Sequence, residues 1–364
     1  MQIKEIIAAL EELAPLSYAE DFDNVGLLTG SPEWEATGAL VTLDTIEEVV
    51  DEAIDKNCNL IVSFHPIIFS GLKSLTGRNY VERAVLKAIK NDIAIYAIHT
   101  ALDNHFRGVN DRICEELNLV NRKILVPQQK TIKKLLTFVP KADAENVREA
   151  LFAAGAGSIG NYDNCSFSLN GSGSFKGNED SNPVIGERGK THFEEETQIG
   201  ITFPKHLEKA VLKALFESHP YEEVAYEVTS LENVNQHIGI GMIGELEQEM
   251  EENAFLNLVK GTFGPGSIRH SALLGKKIKK VAVLGGSGSF AIEKAKSAGA
   301  DIYLTADLKY HDFYKAEGKL VLADIGHYES EQYTKNLLGS YLNKKFANFA
   351  VVLTHTDTNP IKYF

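Results

Sequence analysis

Ile3, Ile6, Ile7, Leu10 and Leu13 recur at helical spacing, so the chain opens with an amphipathic helix. Beyond it, short apolar runs alternate with stretches of helical period. Ala39 to Leu43, Leu60 to Ser63 and Ile93 to Ile98 predict buried strands, with helices near Ile46 to Lys56 and Tyr80 to Lys90 between them. The same alternation returns toward the other end. There the strands are Val281 to Leu284, Ile302 to Leu304, Leu320 to Leu322 and Ala350 to Leu353, and the helices lie near Phe290 to Ser297 and Glu331 to Leu342. Continuously apolar strands separated by helices predict a parallel, helix-covered sheet. Two blocks of one style imply a single discontinuous α/β domain with a mostly parallel sheet, built from residues 1–127 and 237–364.

The stretch between the blocks repeats internally. Leu135 to Val139, then Pro140 and a helix to Ala154, is echoed by Gln198 to Phe203, then Pro204 and a helix to Glu217. Each unit leads into a further strand candidate, Val224 to Val228 in the second. Two β-α-β halves predict an inserted α+β ferredoxin-like domain over residues 128–236. Gly171 to Gly189, rich in Gly, Ser and Asn, reads as a long exposed loop within it.

Composition narrows the function. A net charge of −13 over 364 residues repels a phosphate backbone and argues against nucleic-acid binding. The basic cluster Lys276, Lys277, Lys279 and Lys280 precedes an apolar strand and reads as a solvated strand entry. Cys58, Cys114 and Cys165 are too few and too scattered for a disulfide framework or a zinc ribbon. With no signal-peptide order at the start and no apolar run long enough to span a bilayer, the expectation is a cytoplasmic protein without membrane contact.

In a parallel sheet, ligands gather beyond the carboxyl ends of the strands. His65 follows the strand ending at Ser63, His99 and Asp103 follow Ile98, Asp307 follows Leu304, and His327 follows Leu322. Acid and imidazole groups thus converge on one edge. His327 and Glu331, four apart at a helix start, share one helix face within reach of a single ion. Imidazole with carboxylate suits zinc, manganese or iron, where calcium or magnesium would favour oxygen alone. The competing reading is local: Asp103 and Asp307 are also placed to cap the helices that follow them.

Three further segments carry alternatives. Gly285, Gly286 and Gly288 lie between strand and helix, where they form either a tight turn or an anion cradle; the dinucleotide and P-loop patterns are both incomplete. His219-Pro-Tyr-Glu-Glu223 is either a turn or a second metal site, and Tyr310 to Tyr314 either a packing face or a pocket wall.

At these residues the chain resembles the GTP cyclohydrolase 1 type 2 homologue family, also called NIF-three-like, and specifically its longer bacterial members. The resemblance rests on Asp23-Asn-Val-Gly-Leu27, His65-Pro66 with Phe69, His99-Thr-Ala-Leu-Asp103, Gly239 to Leu246, Val283 to Ser289, Thr305-Ala-Asp307 with Lys309-Tyr-His311, and Asp324-Ile-Gly-His327 with Glu331. The insert resembles the PII and CutA proteins through Gly157 to Tyr162, Cys165-Ser-Phe167 and His219 to Glu223. The resemblance implies a ring-shaped homohexamer and up to two divalent ions per chain. It assigns His65, Asp103, His327 and Glu331 as metal ligands, the Glu bridging. Members usually carry two adjacent histidines before the proline; here the first is Phe64, which cannot coordinate, so either His99 or His355 substitutes or the second ion is weakly held. Three functions are consistent with such a site: a metal-dependent hydrolase acting on a nucleotide or other phosphorylated metabolite, a non-enzymatic hexameric scaffold or regulator whose insert binds an effector or partner, and a metal-delivery or metal-storage protein with exchangeable ions. Catalytic residues are not assigned.

Overall fold

The computed structural model describes residues 1–364, and by contact the chain separates into two compact units, Met1–Pro127 with Gln236–Phe364, and Gln128–Asn235. The first segment carries β1 (Gly26–Thr29), β2 (Ala39–Thr42), β3 (Leu60–Ser63), β4 (Ala94–Ala97) and β5 (Val120–Pro127). The middle carries β6 (Ile132–Pro140), β7 (Ser166–Phe175), β8 (His192–Pro204) and β9 (Tyr226–Leu231). The last carries β10 (Gly239–Glu251), β11 (Arg269–His270), β12 (Lys277–Ser287), β13 (Ile302–Ala306), β14 (Val321–Asp324) and β15 (Val351–Leu353).

The larger unit is mixed α/β and holds two sheets, where the apolar pattern predicted one. The first has the order β1-β4-β3-β2-β15, parallel except for β1; the second has the order β11-β14-β13-β12-β10-β5, parallel only through β12, β13 and β14. Both sheets exchange strands between the two ends of the sequence, since β15 pairs with β2 and β5 with β10. Apolar alternation reveals which segments are strands but not which edges pair, and so does not count sheets.

Their inner faces share one core. Val41, Val62 and Tyr96 from the first sheet and Val281, Leu304 and Val321 from the second belong to it. Helices Ile3–Leu13, Val109–Glu116, Glu252–Phe263 and Thr334–Lys345 also contribute to that core through Ile6, Ile113, Phe255 and Leu338. The outer face of the first sheet is sealed by helices Glu47–Asp55 and Tyr80–Lys90. The latter shows why its residues are helical: the Asn79 side chain accepts the Glu82 N–H at 2.9 Å, Lys87 and Lys90 occupy the last turn, and Ala84, Val85 and Ala88 form the buried stripe. Arg83–Glu47 and Lys87–Asp51 pairs link the two helices on their solvent side.

The smaller unit follows a β-α-β-β-α-β order, with helices Ala144–Ala153 and Glu208–Ser218 and a four-stranded antiparallel sheet ordered β7-β8-β6-β9. Leu135, Val139, Ile199, Ile201 and Phe203 pack with Val147, Leu151, Val211 and Leu215 from the helices. The predicted loop Gly171 to Gly189 is corrected in part. Residues 171–175 lie in β7, paired with β8 along its length, and only residues 176–191 run without strand structure. An edge strand whose side chains stay exposed needs no apolar alternation, so its Gly and Ser residues concealed it.

Phe255→Ala should lower the unfolding free energy of the larger unit by about 3–5 kcal/mol, because the ring is fully buried in the shared core. Urea denaturation checks this; an unchanged midpoint would show that the helix does not seal the core.

Candidate metal centre

The two sheets of the larger unit bring their carboxyl ends to one place. Beyond β3 stands His65, beyond β4 stands His99, and beyond β14 the chain turns into a five-residue helix, His327–Glu331. Helix geometry puts His327 and Glu331 on one face. The Glu331 side chain is 3% exposed, with Oε2 lying 3.1 Å from His65 Nε2 and 3.2 Å from His327 Nε2. The ligand atoms of these three residues all lie within 4.8 Å of one another. Ligands about 2.1 Å from a tetrahedral ion stand roughly 3.4 Å apart, so the spacing matches a single coordination sphere.

Each imidazole is aimed by a carboxylate behind it. Asp44 Oδ1 meets His65 Nδ1, Asp307 Oδ2 meets His327 Nδ1, and Asp23 Oδ1 meets His99 Nδ1, all at 2.8 Å. Holding the proton at Nδ1 leaves Nε2 free to face inward, the usual support of a metal-binding histidine. The supports are themselves supported: Thr100 donates to Asp23 from hydroxyl and amide, and Thr358 from the final segment donates to Asp44. His99 and Asp307 both have positive φ, at 23° and 57°. Backbone held in that region is costly, more so for His99 than for Asp307.

Asp103 is buried in the short helix His99–Asp103, and its carboxyl group feels Glu331, His65, Asp23 and His327. The capping alternative does not apply to either acid. Gly108 and Lys309 are the residues at the helix entries concerned, and Asp307 is engaged with His327 instead. His355 is exposed on the final segment, where its amide donates to Glu52, so it is no substitute for a histidine at position 64. Phe64 is fully buried, its ring 4.8 Å from that of His65 and 5.5 Å from that of His99. It closes the floor of the cluster as a core residue.

Charge in the cluster is unbalanced in a telling way. Burial alone would push His65 and His327 down, yet Glu331 with Asp44 holds His65 up at about 10, and Asp307 with Glu331 holds His327 at about 11. Against the cost of its own burial, Glu331 is held below the usual carboxylate range by the same two rings. Asp103 is pushed well above that range, first by burial and then by the negative charge of Glu331. Three buried atoms, His65 Nε2, Asp103 Oδ1 and Glu331 Oε2, lack a hydrogen-bond partner even though the first and last stand at ion-pair distance. Buried polar atoms are seldom left so, and a cation between His65, His327 and Glu331 would answer the first and last, whereas Asp103 lies outside the set of ligand atoms within 4.8 Å of one another.

The glycine turn serves this cluster. Gly285 N–H donates to Asn110 Oδ1 at 3.0 Å and Gly286 N–H to Ser330 Oγ at 2.9 Å, so these two amides are not free to cradle an anion. Gly286 has a φ of 68°, and a Cβ there would come within 2.4 Å of Glu331 Oε1. The absent side chain makes room for the carboxylate. Asp44 was not singled out in the sequence, although it stands beyond β2 and the strand-end rule that flagged His65 applies to it equally.

The fold and site therefore define a two-sheet α/β protein with a His-His-Glu cluster, its carboxylate buried and its imidazoles half-buried, that could hold a divalent cation. The profile of the family described as Duf34/NIF3 (NGG1p interacting factor 3) matches residues 1–360, and the chain belongs to that family. A Bacillus subtilis relative named GTP cyclohydrolase 1 type 2 homolog is 40% identical, with 99% of this chain and 98% of that protein covered. A second of that name from Halalkalibacterium halodurans is 38% identical, with 98% of each covered. Among solved structures, a Bacillus cereus protein related to NIF3 superposes with a TM-score of 0.85 at 38% identity, covering 100% of this chain and 99% of that one.

Two measurements follow. Because His65 and His327 hold protons well above neutrality, cation uptake near pH 7 should release about one to two protons per ion, and affinity should rise with pH toward those raised values. Calorimetric titration in buffers of different ionisation enthalpy reads this directly, and uptake without proton release contradicts it. Gly286→Ala should displace Glu331 and weaken zinc binding about tenfold or more, measured by competition with a chelating dye; wild-type affinity would show that the cradle is not needed.

Proposed function

We propose that the chain is a divalent-metal-binding protein whose ion is held by His65, His327 and Glu331, with Asp103 as a further ligand, and that it is a metal-dependent hydrolase. The observation that carries this reading is the convergence of His65 Nε2, His327 Nε2 and Glu331 Oε2 with each ring steered from behind by Asp44 or Asp307. Such orientation of both rings is what a metal-binding site of this kind needs. When bound, a divalent ion supplies Lewis acidity, polarising a substrate oxygen and making water a better nucleophile at neutral pH. The chain's own residues hold the geometry: Asp44 and Asp307 fix the tautomers, Gly286 seats Glu331, and Phe64 keeps water from the floor.

A nucleotide or other phosphorylated metabolite is the substrate class proposed, following the name carried by the relatives. The engaged amides of Gly285 and Gly286 give its phosphate no cradle in that turn, so recognition falls to the ion and the groups around it. Zinc, manganese and iron all suit two imidazoles and a carboxylate. Phe64 favours a second reading, a non-enzymatic homohexameric scaffold with a PII/CutA-like insert that binds an effector. A buried phenyl ring removes one ligand from any second ion position and leaves a single tight cluster.

Glu331→Gln separates the readings. Loss of hydrolysis of GTP and other phosphate esters, with assembly unchanged by light scattering, supports the enzyme; loss of assembly from a protein inactive throughout supports the scaffold. Metal content by elemental mass spectrometry, beside a Phe64→His variant, should give about one ion per chain rising toward two in the variant. About two ions in the unaltered chain would show that a second position is complete without a histidine at 64.

A further inference from the structure

The smaller unit contains a cavity of about 920 Å³ that the metal reading does not use. It lies on the sheet face away from the helices. The cross-strand row Phe138, Gln198 and Leu169 forms part of its wall, and the next positions on that face are Glu196 opposite Gly171, then Gly173. A Cβ at Gly171 would meet nothing within 4 Å, so this stretch of β7 leaves the floor without side chains. At Gly173 a Cβ would come within 2.1 Å of Glu196 Oε2, so the glycine lets that carboxylate lie across the strand.

The walls are built and tied. Tyr221 donates its hydroxyl to Glu196 Oε1 at 3.0 Å, and its ring packs at 5.6 Å from that of Phe175. The turn carrying Tyr221 is pinned by His219, which accepts the Tyr221 N–H at Nδ1 and bonds the Phe138 carbonyl through Nε2. Residues of the segment from Lys176 to Ile185 line one side of the cavity, held where Glu222 accepts the Asn182 N–H at 2.9 Å. The His219 to Glu223 motif thus shapes a pocket.

Its chemistry is one-sided. Asp180, Glu196, Glu222 and Glu223 face the single amine of Lys176, beside the rings of Phe138, Phe175 and Tyr221 and the apolar Leu169, Val184 and Ile185. Anions are disfavoured by that charge. A bare metal ion is a poor match, since these carboxylates do not converge to within ligand distance of one another as the groups of the metal centre do. Aromatic faces and carboxylates around an apolar volume of ligand size suit a cation with an organic body. We propose that this cavity binds a small organic cation, an ammonium group on an aromatic or alkyl frame, with Glu196 as its principal counter-ion.

Tryptamine is the probe, titrated by calorimetry into the full-length protein beside indole-3-ethanol, which keeps the shape and lacks the charge. Tryptamine should bind about three- to fivefold more tightly than the alcohol, the order a partly solvated cation contact supplies. Glu196→Gln should weaken tryptamine about three- to fivefold, and Glu223→Gln, which leaves the Tyr221 bond in place, about twofold or less. Circular dichroism checks that both variants are folded. No tryptamine binding at millimolar concentration, equal binding of the alcohol, or binding indifferent to both substitutions would overturn the proposal.

Discussion

A carboxylate buried between two imidazoles from opposite ends of the chain is the constraint on which the larger unit turns. Glu331 sits 3.1 Å from the ring of His65, far away in sequence, and 3.2 Å from that of His327 one helical turn before it. A buried carboxylate is expensive unless cations face it, and removing one partner of such a set costs more than the set contributes. Asp44 and Asp307 hold the rings in place, Gly286 clears the space, and Thr358 ties the final segment to Asp44.

Two sheets rather than one make that convergence available. A single parallel sheet presents its strand ends along a line, whereas two sheets over a shared core can face theirs across a gap. Here β2, β3 and β4 supply Asp44, His65 and His99, and β13 and β14 supply Asp307 and His327. The exchange of β15 and β5 between the halves ties the sheets to both ends of the sequence. Buried Phe64 sits where the core of the first sheet meets the cluster, so its ring serves packing and shapes the site together.

Much of this was legible along the chain, and the rest was hidden for physical reasons. Strongly periodic elements such as Tyr80–Lys90 and the strand around Leu60 stand out because burial on one face or both demands it. His65, His99, Asp103, Asp307 and His327 are visible as polar residues just past apolar strands, and Glu331 through its spacing from His327. Asp44 escaped because a single acid after a strand resembles a turn residue until the ring it faces is known. β7 escaped because its side chains are exposed, and the sheet count because pairing partners leave no trace in periodicity. The glycine turn read as ambiguous between tight turn and anion cradle; the neighbours Asn110, Ser330 and Glu331, remote in sequence, decide for the turn.

X-ray absorption spectroscopy at the zinc edge of the stoichiometrically loaded protein tests the central claim most directly. A first shell of nitrogen and oxygen at about 2.0–2.1 Å, with outer-shell scattering from two imidazoles, is the predicted result. A shell of oxygen alone, without imidazole scattering, would place the ion elsewhere and contradict the account.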